Sequence, residues 1–190
     1  MKKILFVCTG NTCRSPMAQG LFSLLAKEAG VEAEVRSAGI AAVDGQAVSP
    51  HASDILKEHG FETALKSRRL TPEEVRWADL ILTMTMQHKG AILRQYPEAV
   101  DKTFTLKEYA AWGEEELSTE ESERERLQDV IIKLLQGEKL DEEERRLWQT
   151  YERKLLQFDI ADPFGGGRDE YERTAEEIKQ ALKQVISRLG

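Results

Sequence analysis

Cys8 and Arg14 stand with five residues between them in the run Cys8-Thr9-Gly10-Asn11-Thr12-Cys13-Arg14-Ser15. A loop of this length, curled through the turn-forming pair Gly10-Asn11, aims several backbone N–H groups at one point, which suits a bound oxyanion. Arg14 adds a planar fork that grips two oxygens at once, a geometry lysine cannot offer. A cysteine beside an arginine and a helix N-terminus is favoured as the thiolate, the nucleophilic form. The chemistry read from these eight residues is attack of a sulfur nucleophile on a phosphate-sized group cradled by the loop. The competing reading is a buried structural cysteine in an ordinary strand-to-helix turn. The flanking elements argue against it, because a motif carries weight only in its expected context.

Those elements are legible on both sides. Lys3-Ile4-Leu5-Phe6-Val7 reads as a buried strand, and Ser15 to Ala29 as a helix with Pro16 in its first turn. Glu34 to Gly39 reads as a second strand. Ser49-Pro50 opens a helix that Gly60 stops, with Ala52, Ile55 and Leu56 at helical spacing. Thr71-Pro72-Glu73-Glu74 has the form of a capping box before a short helix. Ala78 to Met84 is an apolar third strand, Gln87 to Gln95 a helix, and Thr103 to Leu106 a fourth strand. Alternation of this kind predicts an α/β fold, a three-layer αβα sandwich around a four-stranded parallel sheet. Ligands in such sheets bind beyond the carboxyl ends of the strands, where the Cys8 loop falls.

The composition then shifts. From about Trp112 to Phe158 the chain is dense in Glu, Arg and Lys. Apolar residues recur at Leu127, Val130, Ile131, Leu134 and Leu135, and again at Leu147, Trp148, Tyr151 and Leu155, with a break at Gly137-Glu138-Lys139. This predicts two amphipathic helices, over about Glu120–Gln136 and from Asp141 onward, inserted as a hairpin at 113–158 into a single domain spanning 1–190. The charges are read first as solvated faces, and alternatively as a surface that contacts a partner or substrate. A turn-rich loop, Asp159 to Gly167, leads to a last helix over about Arg168–Leu189.

A length of 190 residues suits one domain, and 41% hydrophobic content allows a core. A net charge of −7 argues against nucleic acid as a partner. No apolar run approaches the roughly 18 residues that span a bilayer, so no membrane partner is expected. The short apolar N-terminus leads straight into the Cys8 loop and is read as a strand rather than a secretory leader, so the expected location is cytoplasmic. Both cysteines lie in the loop, which leaves no disulfide framework and no zinc site, and no cofactor is expected. His51, His59 and His88 lack metal-ligand spacing and are expected at the surface or at helix ends.

The loop, taken with Asp162-Pro163 far downstream, resembles the low-molecular-weight protein-tyrosine phosphatase family. Ser37-Ala38-Gly39 and Ala78 to Met84 support the likeness, which covers residues 1–112 and 159–190. The Trp112–Phe158 region departs from the family pattern. The resemblance implies hydrolysis of phosphorylated protein substrates in two steps, with no metal. Cys8 would form a cysteinyl-phosphate. Arg14 and the loop amides from Thr9, Gly10, Asn11, Thr12 and Cys13 would hold the equatorial oxygens. Asp162 would protonate the leaving group and then take a proton from water. Ser15 would donate a hydrogen bond to the Cys8 sulfur, and Asn11 would brace the loop. Asp159 is the alternative acid. Cys13 is either a small loop filler or the partner of Cys8 in a reversible disulfide.

Within that family, Cys-Thr-Gly-Asn-Thr-Cys-Arg-Ser is most similar to the bacterial protein-arginine phosphatase subgroup. The stretches Met84 to Lys89, Asp101-Lys102, Phe104 to Tyr109 and Asp162 to Gly166 add to the match. Many tyrosine-specific members carry a bulkier aliphatic residue, often isoleucine, where this chain has Thr12. The smaller, hydroxylated Thr12 would admit a planar guanidinium, Asp162 would pair with that cation, and Phe164 would pack on it. The expectation is a phosphoarginine phosphatase, with a protein-tyrosine phosphatase as the alternative. An arsenate reductase would need further cysteines to pass a disulfide along. A non-catalytic phosphoresidue-binding module would not need Cys8, Arg14, Ser15 and Asp162 together.

Overall fold

The protein is described here by a computed structural model covering residues 1–111, 126, 129, 130, 133 and 138–190. The chain divides into two compact units, Met1–Ala110 with Phe158–Gly190, and Ala111–Gln157.

The first unit is built on four strands: β1 (Lys2–Cys8), β2 (Ala33–Gly39), β3 (Leu80–Thr83) and β4 (Thr103–Thr105). They form one sheet in the order β2-β1-β3-β4, and every pair is parallel. Alternation along β1 decides the layers. Ile4, Phe6 and Cys8 point into one apolar cluster, and Leu5 and Val7 into the other. The first cluster is covered by α1 (Arg14–Glu28), α2 (Pro50–Glu58) and the last helix, α7 (Arg168–Leu189). The second is covered by α3 (Pro72–Trp77), α4 (Met86–Gln95) and a 3-10 turn over Pro97–Lys102. This is the three-layer αβα sandwich with a four-stranded parallel sheet.

Local sequence explains most element ends. Ser49 caps α2 by accepting from Ala52 N at 3.4 Å, with Pro50 at the first position. Gly60 takes φ +91° just beyond α2, a left-handed conformation that favours glycine. Thr71 caps α3 through Glu74 N at 3.3 Å. The Glu74 carboxylate instead faces Arg36 and Arg68, at 3.8 and 3.6 Å. A short helix, α5 (Leu106–Ala111), and the 3-10 turn follow β4 and α4; neither stands out in the hydrophobic pattern.

In the second unit, α6 (Glu142–Leu156) begins with a reciprocal capping box: Asp141 Oδ1 accepts from Glu144 N and Glu144 Oε2 accepts from Asp141 N. Arg126 and Lys133 form ion pairs with Glu143 and Glu144 of this helix, both at 2.5 Å. The expected helix over Glu120–Gln136 lies for the most part outside the described residues. Among the described residues no helix is long and apolar enough to cross a membrane.

Candidate active site

β1 ends at Cys8, where the sheet order turns back on itself: the chain runs from β1 to β2 on one side and to β3 on the other. The crevice at this switch point holds the Cys8 loop. Asn11 carries φ +54°, the only positive φ of a non-glycine residue among those described. The turn therefore rests on Asn11, a residue type that tolerates the left-handed region, and not on Gly10. Gly39, at the end of β2, makes room for the loop. A Cβ there would lie 2.4 Å from Thr9 O and 2.9 Å from Asn11 N.

The loop carbonyls are held outward. Cys8 O accepts from Ile40 N at 3.0 Å, Thr9 O from Ala41 N at 2.9 Å, and Thr12 O from Ser49 N at 2.8 Å. In a planar trans peptide the following N–H points the opposite way, so the amides of Thr9, Gly10 and Cys13 turn inward. Asn11 N approaches the Cys8 sulfur itself at 3.3 Å. This is an anion cradle made from backbone.

A buried relay fixes the Cys8 contacts. Asn11 Nδ2 donates to Ser15 Oγ at 2.8 Å and to Ser37 Oγ at 2.9 Å, while Asn11 Oδ1 accepts from Arg68 N at 2.8 Å. Ser37 Oγ donates to Gln19 Oε1 at 2.7 Å. Ser15 Oγ, already an acceptor, has its own proton free for Cys8 Sγ at 2.9 Å; the other acceptor in reach, Ala38 O, is at 3.4 Å. The Asn11 amide thus orders the Ser15 hydroxyl so that its proton faces the Cys8 sulfur, where it stabilises negative charge.

Arg14 is buried at the first position of α1, with NH1 donating to Ile160 O at 3.2 Å and NH2 to Asp162 Oδ2 at 2.7 Å. Asp162 is half exposed. Its loop is pinned from behind: Ile160 N donates to Met84 O at 2.8 Å, Lys107 Nζ to Asp159 O at 3.1 Å, and Ala161 N to Glu177 Oε2 at 3.3 Å. Asp159 itself is turned away from the cavity, its Oδ1 accepting from Met86 N at 2.7 Å at the start of α4. Cys8, Thr9, Gly10, Thr12, Cys13, Arg14, Asp162 and Phe164 together line a cavity of about 250 Å³. Phe164 stands 78% exposed at its rim. Both cysteines are free and buried, and Cys13 Sγ lies 3.1 Å from the Tyr171 hydroxyl of α7. Burial, reinforced by that contact with Cys13, pushes the Tyr171 phenol up.

One residue of the site is missed in the sequence. His88, expected at the surface or at a helix end, does lie in the first turn of α4, but it is buried there, 3% exposed. Its Nε2 lies 2.8 Å from Thr9 Oγ1 and its Nδ1 2.9 Å from Thr85 Oγ1. Burial, with the Arg14 charge second, lowers its pKa to about 4, against a smaller opposing effect of Asp162. The correction has a simple cause: α4 follows β3, which pairs with β1, so the start of α4 is carried beside the Cys8 loop. His59 is exposed, and His51 is partly buried against the Tyr171 ring. Among the described residues no group of His, Cys, Asp and Glu is placed to hold a metal ion.

Comparison with known proteins gives the geometry its setting. The family described as low molecular weight phosphotyrosine protein phosphatase matches residues 3–128. A protein-arginine-phosphatase of Geobacillus stearothermophilus is 41% identical over 187 residues, covering 98% of this chain and 95% of that protein. A crystal structure of a YwlE mutant from Bacillus subtilis superposes with a TM-score of 0.73 at 34% identity, covering 100% of this chain and 99% of that one. A YwlE arginine phosphatase mutant with a phosphorylated active-site serine gives 0.72 at 34% identity, covering 98% and 95%.

Proposed function

This chain belongs to the low-molecular-weight phosphotyrosine protein phosphatase family and is a phosphatase of proteins, and we propose that it hydrolyses phosphoarginine through a cysteinyl-phosphate on Cys8. The observation that carries the reading is the shared cavity, where the Cys8 sulfur, the Arg14 fork, Thr12, Asp162 and Phe164 face one space of about 250 Å³. The 41% identity to a protein-arginine-phosphatase supports the same substrate.

In this reading Cys8 Sγ attacks phosphorus, an S–P bond forms and the bond from phosphorus to the guanidino nitrogen breaks. The inward amides of the loop and Arg14 hold the three equatorial oxygens, on which transition-state charge is spread. Asp162 gives its proton to the departing nitrogen. It then accepts one from the water that attacks phosphorus, which releases phosphate and returns the thiolate. Ser15 donates to the sulfur and makes it a better leaving group in the second step. An incoming phosphoryl group competes with Asp162 for Arg14 NH2, so binding substrate frees the carboxylate for its work on the leaving group.

Thr12 and Phe164 set the preference. Thr12 offers less bulk than isoleucine and a hydroxyl, and Phe164 offers an exposed ring face to a guanidinium. Discrimination by a methylene's worth of space is about 1–3 kcal/mol, so some turnover of phosphotyrosine is expected. Protein-tyrosine phosphatase activity is the second reading, favoured by the family match itself. Cys13 is assigned as the redox partner of Cys8, and a cytoplasmic location suits a site whose nucleophile must stay reduced. Residues 113–158 are assigned as a helical insertion in one phosphatase domain, with its charged faces available to a substrate or partner. Thr12→Ile tests the specificity argument: the ratio of kcat/KM for phosphoarginine over phosphotyrosine should fall about tenfold or more. An unchanged ratio would remove Thr12 from the account.

A further inference from the structure

Thr9 has a side chain tied to the start of α4. It is exposed at the mouth of the cavity, and its Oγ1 is 2.8 Å from His88 Nε2, 79 residues away. His88 is in turn held by Thr85: the Thr85 hydroxyl caps α4, accepting from His88 N at 3.2 Å, and lies 2.9 Å from His88 Nδ1. Thr85 Oγ1 has one proton to give, and Nδ1 is the acceptor beside it. Giving it there leaves Nδ1 without hydrogen, so the ring carries its hydrogen on Nε2 and donates to Thr9 Oγ1. With that lone pair occupied, the Thr9 hydroxyl proton is free to turn into the cavity. The opposite tautomer would send the Thr9 proton to Nε2 and leave the Thr85 proton without this acceptor.

We propose that His88 is a positioning residue that, held by Thr85, donates to Thr9 Oγ1 and so aims the Thr9 hydroxyl proton at a non-bridging oxygen of the bound phosphoryl group. The cradle then has a side-chain donor in addition to Arg14 and the amides. The proposal rests on the phosphatase reading of the site and adds to it a role for two residues outside that reading's acid, nucleophile and arginine. The charged groups that bear on His88 are Arg14 and Asp162; burial and the Arg14 charge keep the ring neutral, the state the tautomer argument requires.

The test is a double-mutant cycle with a conservative rescue, read as kcat/KM on phosphoarginine and on para-nitrophenyl phosphate, since both present the same phosphoryl oxygens. Thr9→Val keeps the shape and removes the hydroxyl. His88→Asn keeps a polar group at the Nδ1 position, near Thr85, but does not reach Thr9. His88→Gln places an amide donor near the Nε2 position. Thr9→Val and His88→Asn should each lower kcat/KM about tenfold on both substrates. Together they should be no worse than either alone to within about twofold, and His88→Gln should recover most of the loss. A double variant that loses about a hundredfold, the product of the single effects, would show that His88 does not act through Thr9 and would overturn the proposal. So would a His88→Gln protein as impaired as His88→Asn. A wild-type protein that turned over neither compound would defeat the phosphatase reading itself, and this inference with it. Both His88 variants retain hydrogen-bonding side chains, so loss of the fold is separable by thermal melting of the same samples.

Discussion

His88 makes a quantitative prediction about acid. Its pKa is lowered to about 4 in the folded protein, first by burial and then by Arg14. In the unfolded chain a histidine titrates near pH 6.5. A base whose folded pKa is depressed binds fewer protons when folded, so acidification favours the unfolded state. Above about pH 6.5 the group is neutral in both states and costs nothing. As pH falls from about 6.5 to about 4 the unfolded state gains the proton first and stability is lost; below about 4 both states are protonated and the loss levels off. Between about pH 7.5 and about pH 4.5 the linkage amounts to about 2.5 kcal/mol, and the full shift to about 3.4 kcal/mol. Other groups titrate in that window, so the assay is urea unfolding of wild type and His88→Gln at both pH values. The wild type should lose about 2.5 kcal/mol more than the variant on acidification. Parallel losses, equal to within about 0.5 kcal/mol, would refute the idea that a buried, neutral His88 stands against Thr9.

Two further outcomes follow from the site. Asp162→Asn should lower kcat on phosphoarginine by about a hundredfold or more while leaving the far-ultraviolet spectrum unchanged, because the group works in proton transfer and Asp159 is engaged at Met86 N; near-normal turnover would require another acid. Mild peroxide followed by mass analysis should show a loss of about 2 Da, recovered on reduction, for a disulfide between Cys8 and Cys13. Cys13 must give up its contact with the Tyr171 hydroxyl to form it, and stepwise oxygen addition at Cys8 with no mass loss would leave Cys13 as packing alone.

How far the sequence reaches is clear from single residues. Cys8, Arg14 and the strand and helix around them are legible because the whole device is local: seven residues of β1, a turn and a helix start are contiguous. Ser49 and Pro50 are legible for the same reason, a cap and a fixed φ acting on their neighbours. Asn11 is legible as a turn residue, yet its role as the hub joining Ser15, Ser37 and Arg68 depends on β2 lying beside β1. The choice between Asp159 and Asp162 is left to motif likeness in the sequence; in the structure one carboxylate meets Met86 N and the other meets Arg14. The helix-end position of His88 is legible, but its burial and its contact with Thr9 are not, since that partner is 79 residues away and a histidine in a polar helix start carries no hydrophobic signature. Its one signal is Thr85, three residues earlier at the end of an apolar strand, which marks a capped helix entering the sheet's carboxyl edge.

The preference of the cavity over Cys8 for phosphoarginine is read most simply by comparing kcat/KM for the wild-type protein on two peptides of one sequence, carrying phosphoarginine or phosphotyrosine at the same position. Phosphoarginine should lead by about tenfold or more, with the phosphotyrosine rate low but measurable. Equal values, or a preference for phosphotyrosine, would contradict it and leave the protein as a tyrosine phosphatase with a threonine in its loop.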